Sequence, residues 1–276
     1  MTRTRYAAGA LMAALAVAGP ALAGDLTTDK LTVNKDGTFW ANVTVKDPGQ
    51  GSAPTNGLIL YYSFSTNDNP TADSSGNSNT GAVNGATWSA TNGIAAGGYK
   101  FNGSSDYISA GTASGSLAIT TNKLSISAWI KRSTDNVPAW ILGKMGPSTG
   151  SYGLYVESPS SGAANKLNLT MDVGGGWGSG GANFDVPVPN DGQWHHVAAV
   201  YNGTNVVGYV DNVASTPIAC SGNIVSKSYT CKLGWEDGWN SQRFKGNMDE
   251  VRVYNRTLTA SEVQGLYLLN AVRATG

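Results

Sequence analysis

The chain has 276 residues and a formal net charge of zero, because 18 lysines and arginines balance 18 aspartates and glutamates. This balance argues against the basic surface of a nucleic-acid-binding protein and against an acidic tail. Hydrophobic residues make up 41% of the chain, enough for a core, and 36 glycines favour short strands joined by tight turns over long helices.

The first 23 residues have the pattern of a secretory signal peptide. Arg3 and Arg5 give a positive start, an apolar run covers Ala7–Val17, and small residues end the segment at Ala21–Ala23. The run is shorter than the roughly 20 residues that a membrane-spanning helix needs. We therefore predict cleavage after Ala23 and a secreted protein, extracellular or periplasmic, of a bacterium.

Residues 24–56 are predicted to form a β-hairpin followed by a linker. The strand-like runs "LTV" and "FWANVTV" flank a turn at Asp36 and Gly37, and "KDPGQGSAPTNG" has the Gly, Pro and Ser content of a linker. One hairpin buries too little surface to be stable alone. We expect it to pack on the main domain, or on a copy of itself in another chain, which would make a homo-oligomer through residues 24–56.

Residues 57–270 have the pattern of one all-β domain, and a tail follows at 271–276. Apolar residues alternate with other residues in "LSISAWIKR", and Asn202 and Gly203 separate two strands as in a hairpin. Thr259 and Glu262 form a capping box before the one predicted helix. Short strands with one short C-terminal helix predict a two-sheet antiparallel sandwich. The candidate strands are 58–64, 99–103, 106–110, 124–132, 139–144, 152–157, 166–173, 194–202, 205–212 and 247–254.

The two cysteines, Cys220 and Cys231, are predicted to form a disulfide. They are eleven positions apart, and an exported protein folds in an oxidising compartment. Two cysteines alone make a poor metal site. The bridge would contribute about 2–4 kcal/mol of stability.

The stretch "GNMDEVRVYN" places two adjacent carboxylates in a predicted strand. Side chains alternate between the two faces of a strand, so Asp249 is expected on the face of Val251 and Val253, and Glu250 on the other face. If the valine face is the core, Asp249 needs a partner, because an unpaired buried carboxylate is costly.

Five blocks carry a family likeness, in this order: "GLILYYSFS…TADSSGNSNTGAVNGATW", "GGYKFNGSSDYIS", "LSISAWIK", "GQWHHVAAVYNGTNVVGYVDN" and "FKGNMDEVRVYNRTLTASEVQGLY". They resemble laminin-G-like domains, which are concanavalin A-like lectin/glucanase jelly rolls of bacterial secreted proteins. The resemblance covers about Gly57–Tyr267 and implies a jelly-roll sandwich. It leaves function open, because this fold carries lectins, adhesion modules and some glycanases.

The resemblance also implies a structural calcium between an N-terminal loop and the final strand, at the matching positions Asp73 and Asp249. The loop "ADSSGNSNTG" offers further oxygens from Asn77, Asn79 and the Gly76 carbonyl. Ca²⁺ takes 6–8 such oxygens at about 2.3–2.6 Å. The predicted cofactor is therefore Ca²⁺, with these five residues as candidate ligands.

The residues alone allow another arrangement. The loop around Asp73 could be a solvated surface turn, in which an aspartate side chain bonds its own backbone. Asp249 would then pair with an arginine, such as Arg252 or Arg256.

No catalytic residues are predicted. Retaining glycanases need two carboxyls about 5–5.5 Å apart, and adjacent strand residues such as Asp249 and Glu250 point to opposite faces. The two adjacent histidines in "GQWHHVAAVY" also face opposite sides, and no third histidine or free cysteine completes a zinc site.

Three tryptophans in glycine-rich loops, beside acids and amides, are candidates for sugar binding. The alternative is that these rings cap the edge of the sandwich. The candidate ligand-binding residues are Trp177, Trp235, Glu236, Asp237, Trp239 and Asn240.

The sequence therefore predicts a secreted, non-catalytic binding module that is stabilised by calcium and binds a glycan. The alternative is a structural or adhesive protein, which contacts an extracellular-matrix or surface protein and self-associates through the N-terminal hairpin. A glycan-active enzyme that uses Glu236 is the third possibility.

Overall fold

The structure is a computed structural model. It describes residues 26–33, 39–45, 53–94, 96–135, 137–146, 149–157, 165–176, 178–237 and 242–274. The chain divides into two units, Met1–Ser52 and Ala53–Gly276. The predicted signal peptide and most of the predicted linker lie outside the described residues. In the part of the chain that the structure describes, no helix is both long enough and apolar enough to span a membrane.

The first unit contains the predicted hairpin. Strand β1 (Leu26–Val33) pairs antiparallel with β2 (Phe39–Val45), and Val33 lies opposite Phe39. The register shifts between Thr28 and Lys30, which marks a bulge. The predicted turn at Asp36 lies outside the described residues.

The second unit is a two-sheet sandwich followed by the helix α1 (Ala260–Ala274). Its strands are β3 (Leu58–Tyr62), β4 (Gly81–Asn84), β5 (Thr87–Ser89), β6 (Gly98–Asn102), β7 (Tyr107–Ala110), β8 (Leu124–Arg132), β9 (Ala139–Met145), β10 (Gly150–Val156), β11 (Lys166–Met171), β12 (Ala182–Pro187), β13 (Trp194–Tyr201), β14 (Asn205–Val210), β15 (Val213–Ala214), β16 (Ile218–Ala219), β17 (Cys231–Leu233) and β18 (Lys245–Tyr254).

The two sheets are antiparallel. The seven-stranded sheet has the order β12-β11-β10-β9-β17-β7-β4. The nine-stranded sheet has the path β15-β14-β13-β8-β18-β6-β5, with β16 paired to β14 and β3 paired to β18. The predicted jelly-roll sandwich is confirmed by this arrangement.

The main core lies between the inner faces of the two sheets. The seven-stranded sheet contributes Ile108 and Leu154, and the nine-stranded sheet contributes Ile126 and Val253, all of them fully buried. These side chains come from alternate positions of their strands, as expected for a sandwich in which each sheet buries one face.

A second, smaller core lies on the outer face of the nine-stranded sheet, where α1 packs. Val263 and Leu266 of the helix join Ala198 and Tyr254 of the sheet in this cluster. The predicted capping box starts the helix: Thr259 N donates to Glu262 Oε2 at 2.8 Å, and Glu262 N donates to Thr259 Oγ1 at 3.2 Å.

A bulge in β18 overturns the predicted alternation around Asp249. Asp249 pairs with Trp129 and Arg252 with Ser127, so three steps along β18 match two steps along β8. The extra residue is accommodated where Glu250 adopts a left-handed φ of 55°. Because Asp249 pairs with Trp129, it lies on the outer face under α1 and not on the face of Val251.

The predicted disulfide is not formed in the structure: Cys220 and Cys231 are separate thiols, and they lie in different sheets. Cys220 follows β16 at the edge of the nine-stranded sheet, whereas Cys231 begins β17 inside the seven-stranded sheet. Burial raises the pKa of the Cys231 thiol to about 12, and nearby Lys144 partly offsets that rise. The eleven-residue spacing gave no sign that the segment crosses between sheets.

Candidate functional site

The predicted calcium loop is closed by hydrogen bonds to Asp73. Asp73 Oδ1 accepts from Tyr61 N at 3.0 Å and Ser75 N at 2.9 Å, and Oδ2 accepts from Ser75 Oγ and Asn79 N at 2.9 Å each. Each carboxylate oxygen therefore already accepts two hydrogen bonds, which is its usual capacity. The geometry is that of a turn held by its own backbone.

The two amides of this loop act as donors toward strand β3. Asn77 Nδ2 donates to the Leu58 carbonyl at 3.0 Å, and Asn79 Nδ2 donates to the Ile59 carbonyl at 2.7 Å. Gly76 has a φ of 83°, a left-handed conformation that glycine adopts easily. These contacts fasten the loop to the sheet.

Asp249 contacts a different loop. Its Oδ2 accepts from Ile94 N at 2.9 Å, and its Oδ1 accepts from Glu250 N at 2.8 Å. Backbone N–H groups thus stabilise the buried carboxylate. The structure brings Asp73 together with Asn79 in one loop, and it places Asp249 against the backbone of Ile94.

Trp235 lies in a cluster on the outer face of the seven-stranded sheet. The Lys232 ammonium is 4.2 Å from the centroid of the indole, the Arg243 guanidinium is 4.0 Å from it, and the Tyr107 ring is 5.0 Å away. Lys232 also forms an ion pair with Asp237. The indole is therefore held by cation–π contacts and is not an isolated platform.

The other predicted ligand-binding residues divide into two groups. Glu236 is fully buried, with its Cβ beside Gly143, so it is not at the surface where a hydroxyl could reach it. Trp177, Trp239 and Asn240 lie outside the described residues. The structure thus brings Trp235 and Asp237 together around Lys232 and places Glu236 behind them.

A row of aromatic and amide side chains crosses the same outer face. Asn183 of β12 pairs with Asn168 of β11, Asn168 pairs with Tyr155 of β10, and Tyr155 pairs with Trp140 of β9. Asn168 Nδ2 donates to Asn183 Oδ1 at 2.5 Å, and the Tyr155 and Trp140 rings lie 4.5 Å apart. We call these four residues the sheet row.

The sheet row continues into the Trp235 cluster through Gln242. Trp140 Nε1 donates to Gln242 Oε1 at 3.0 Å, and the neighbouring residue Arg243 lies over Trp235. Gly153 makes room for the Trp140 ring, because a Cβ there would be 2.5 Å from Trp140 Cζ3. The row depends on the register between four strands, which is why the sequence did not reveal it.

Among the described residues, buried side-chain atoms without a hydrogen-bond partner lie mostly on the two outer faces. On the seven-stranded sheet they are Asn168 Oδ1, Trp235 Nε1 and Arg243 Nη1. On the nine-stranded sheet, under α1, they are Trp129 Nε1, His196 Nδ1, Arg252 Nε and Tyr254 OH. Buried polar atoms are normally paired, and ordered water is one of their usual partners.

The two histidines do not form a zinc site. His195 bonds Asp211 at 2.6 Å and Asp191 at 3.0 Å, whereas His196 is buried and bonds Ser127 Oγ at 2.9 Å. Burial lowers the pKa of His196 to about 3, which keeps it neutral. Among the described residues, no three His, Cys, Asp or Glu side chains are grouped so that they could hold a metal ion.

The two antiparallel sheets, packed face to face, define a jelly-roll domain. Residues 102–264 match the family described as the Concanavalin A-like lectin/glucanases superfamily, Laminin_G_3. The chain belongs to this family. A search of curated protein sequences found no match.

Solved structures with the same fold include a sugar complex. Domain 4 of AbnA, a GH43 extracellular arabinanase from Geobacillus stearothermophilus, in complex with arabinotriose, is 21% identical with a TM-score of 0.58. The match covers 76% of this chain and 98% of that one.

Two toxin domains are also similar. The binding domain of Paraclostridial Mosquitocidal Protein 1 has a TM-score of 0.60 and that of botulinum neurotoxin serotype D has 0.58, each at 15% identity. Both matches cover 77% of this chain, but only 52% and 51% of the toxin domains. The chain therefore spans about half the length of these relatives.

Proposed function

We propose that this protein is a secreted, non-catalytic module that binds a neutral oligosaccharide along the sheet row. The observation that carries the proposal is the half-buried Tyr155 ring, which lies between the Trp140 indole and the amides of Asn168 and exposed Asn183. An amide acceptor next to aromatic faces suits a sugar, which presents hydroxyl donors and apolar ring faces.

The dimensions and charge of this face support an oligosaccharide. Neighbouring strands are about 4.8 Å apart, so the row from Asn183 to Trp140 extends over roughly 14 Å, longer than a single sugar ring. The ion pair between Lys232 and Asp237 offsets one positive charge beside the row. The arabinotriose complex of the AbnA domain, a relative of the same fold, makes arabinotriose the first ligand to test.

Isothermal titration calorimetry with arabinotriose and other linear neutral oligosaccharides tests the proposal. Asn183→Ala removes the exposed amide of the row, so it should weaken binding roughly 2- to 10-fold, the effect of one lost hydrogen bond. Trp235→Ala should weaken binding as well. Asn205→Ala, in β14 of the nine-stranded sheet, is the matched control and should bind as the wild type does. Unchanged affinity in both Asn183→Ala and Tyr155→Ala would refute the site.

Calcium stays a prediction that is separate from the binding mechanism. The contacts of Asp73 fit a hydrogen-bonded turn better than a calcium ligand, so no step of the proposed binding depends on the ion. A chelator that lowers the melting temperature of the wild type, but not that of Asp249→Ala, would support the ion. An identical melting curve with and without chelator would contradict the prediction of a bound calcium ion.

Self-association and protein partners also stay predictions. If residues 24–56 join two chains, the mass measured by light scattering should rise with concentration and should stop rising when Asp25–Ser52 is deleted. A monomer at all concentrations would leave no support for the structural or adhesive alternative.

A further inference from the structure

A groove beside α1 lies on the opposite side of the sandwich from the sheet row. Its volume is about 660 Å³, within the usual range for a small-molecule site. Exposed residues Ser65 and Ala96 lie at its rim. Its walls include Leu58, Tyr61, Glu250, Arg252, Leu269 and Asn270.

The floor of the groove is a fixed group of three polar side chains. Tyr61 OH donates to Glu250 Oε1 at 3.1 Å and approaches Oε2 at 3.2 Å, and Arg252 Nη2 forms an ion pair with Glu250 Oε2. The Arg252 guanidinium lies 4.0 Å over the Tyr61 ring. One positive and one negative charge cancel, so the groove favours a neutral ligand.

Backbone strain lies at the same place. Glu250 adopts a φ of 55° within the bulge of β18, a conformation that non-glycine residues rarely adopt. Strained residues of this kind are concentrated at functional sites. The bulge places the Glu250 carboxylate against Tyr61 and Arg252 at the groove.

Arg252 contributes one unpaired donor to the groove that it lines. Arg252 is 3% exposed, and its Nε, which can only donate, has no hydrogen-bond partner among the described residues. In the same groove, Glu250 Oε1 accepts from Tyr61 OH and has capacity for a second donor.

We propose that the groove binds the acetamido group of an N-acetylated sugar. The amide N–H donates to Glu250 Oε1, and its carbonyl oxygen accepts from the Arg252 side of the groove. The methyl group packs against Leu58 and Leu269, and the sugar hydroxyls reach Ser65 at the rim. A secondary amide is neutral and carries one donor, one acceptor and a small apolar group, which matches these walls.

Saturation-transfer NMR and calorimetry with methyl N-acetyl-β-glucosaminide test this proposal, with methyl β-glucoside as the matched ligand without the acetamido group. The first sugar should bind, and the second should bind about tenfold more weakly or not at all. Glu250→Gln should weaken binding of the N-acetylated sugar roughly 10- to 100-fold, the effect of losing a hydrogen bond to a charged group.

A second variant avoids the buried cluster. Ala96→Trp fills the groove from its exposed rim and should abolish binding of the N-acetylated sugar while leaving arabinotriose binding unchanged. Ala90→Trp, also exposed but not lining the groove, is its control. Equal binding of both sugars, no binding of the N-acetylated one, or full binding by Ala96→Trp would each overturn the proposal.

Discussion

Gly153→Ala should damage the sheet row directly. The new Cβ would lie 2.5 Å from Trp140 Cζ3 and 3.1 Å from the Leu142 carbonyl oxygen. Carbon atoms in contact are about 3.5–4.0 Å apart, so the indole must move by roughly 1 Å. Trp140 is only 2% exposed and is held by Tyr155 and Gln242, so it cannot move freely.

Overpacking of a tightly packed site should lower the free energy of unfolding by about 1–3 kcal/mol. For a domain of this size that lowers the melting temperature by roughly 2–12 °C. Differential scanning calorimetry measures the loss of stability, and titration with oligosaccharide measures the loss of affinity.

Gly265→Ala is the matched control for that variant. Gly265 lies within α1, and a Cβ there would meet nothing within 4 Å. Alanine should therefore stabilise the protein by about 0.5–1 kcal/mol through its better helix propensity. If Gly153→Ala melts and binds sugar as Gly265→Ala does, the packing of Trp140 over the glycine is not as described.

Two further predictions concern pH. Hydrogen bonds from Arg256 lower the pKa of Glu262 to about 2, so this pair stabilises the protein above pH 4.5 and the contribution is lost as the pH falls toward 2. Because the pair is partly solvated, Glu262→Gln should lower the free energy of unfolding by about 0.5–1 kcal/mol at pH 7. Urea unfolding should show this difference from the wild type at pH 7 and no difference at pH 2. An equal loss of stability at both pH values would contradict the prediction. Burial opposes the charged form of His195, but hydrogen bonds to Asp211 and a second aspartate outweigh it and raise its pKa. This stabilisation is complete below pH 6.5 and is lost as the pH rises through the raised pKa, whereas buried, neutral His196 has the opposite dependence. His195→Gln should therefore lower the free energy of urea unfolding more at pH 6 than at pH 9. The same loss at both pH values would contradict the ion pairs of His195 with the two aspartates.

The elements set by local sequence were predictable. The capping box of α1 depends on two residues three positions apart, and the alternation in β8 fixes its buried face without knowledge of its neighbours. The strands shorter than four residues, such as β15 and β17, carry too few positions for a period-two pattern and were not predicted as strands.

The site depends on long-range register, which one sequence does not reveal. Asn168 and Trp140 lie on either side of Tyr155 in the sheet row only because β10 pairs with both β9 and β11. The prediction for the face of Asp249 was wrong because β18 contains a bulge at Glu250, which has a left-handed φ. No residue type in "MDEVRV" indicates a bulge. Strain of this kind is visible only after the strands are paired.

Binding along the sheet row is tested most directly by amide and side-chain NMR spectra of the ¹⁵N-labelled protein, recorded during titration with arabinotriose and linear neutral oligosaccharides. We predict that the shifts of the Asn168 and Asn183 amides and the Trp140 indole change first, with a common dissociation constant. Changes confined to the nine-stranded sheet, or spectra unaltered by every oligosaccharide, would contradict it.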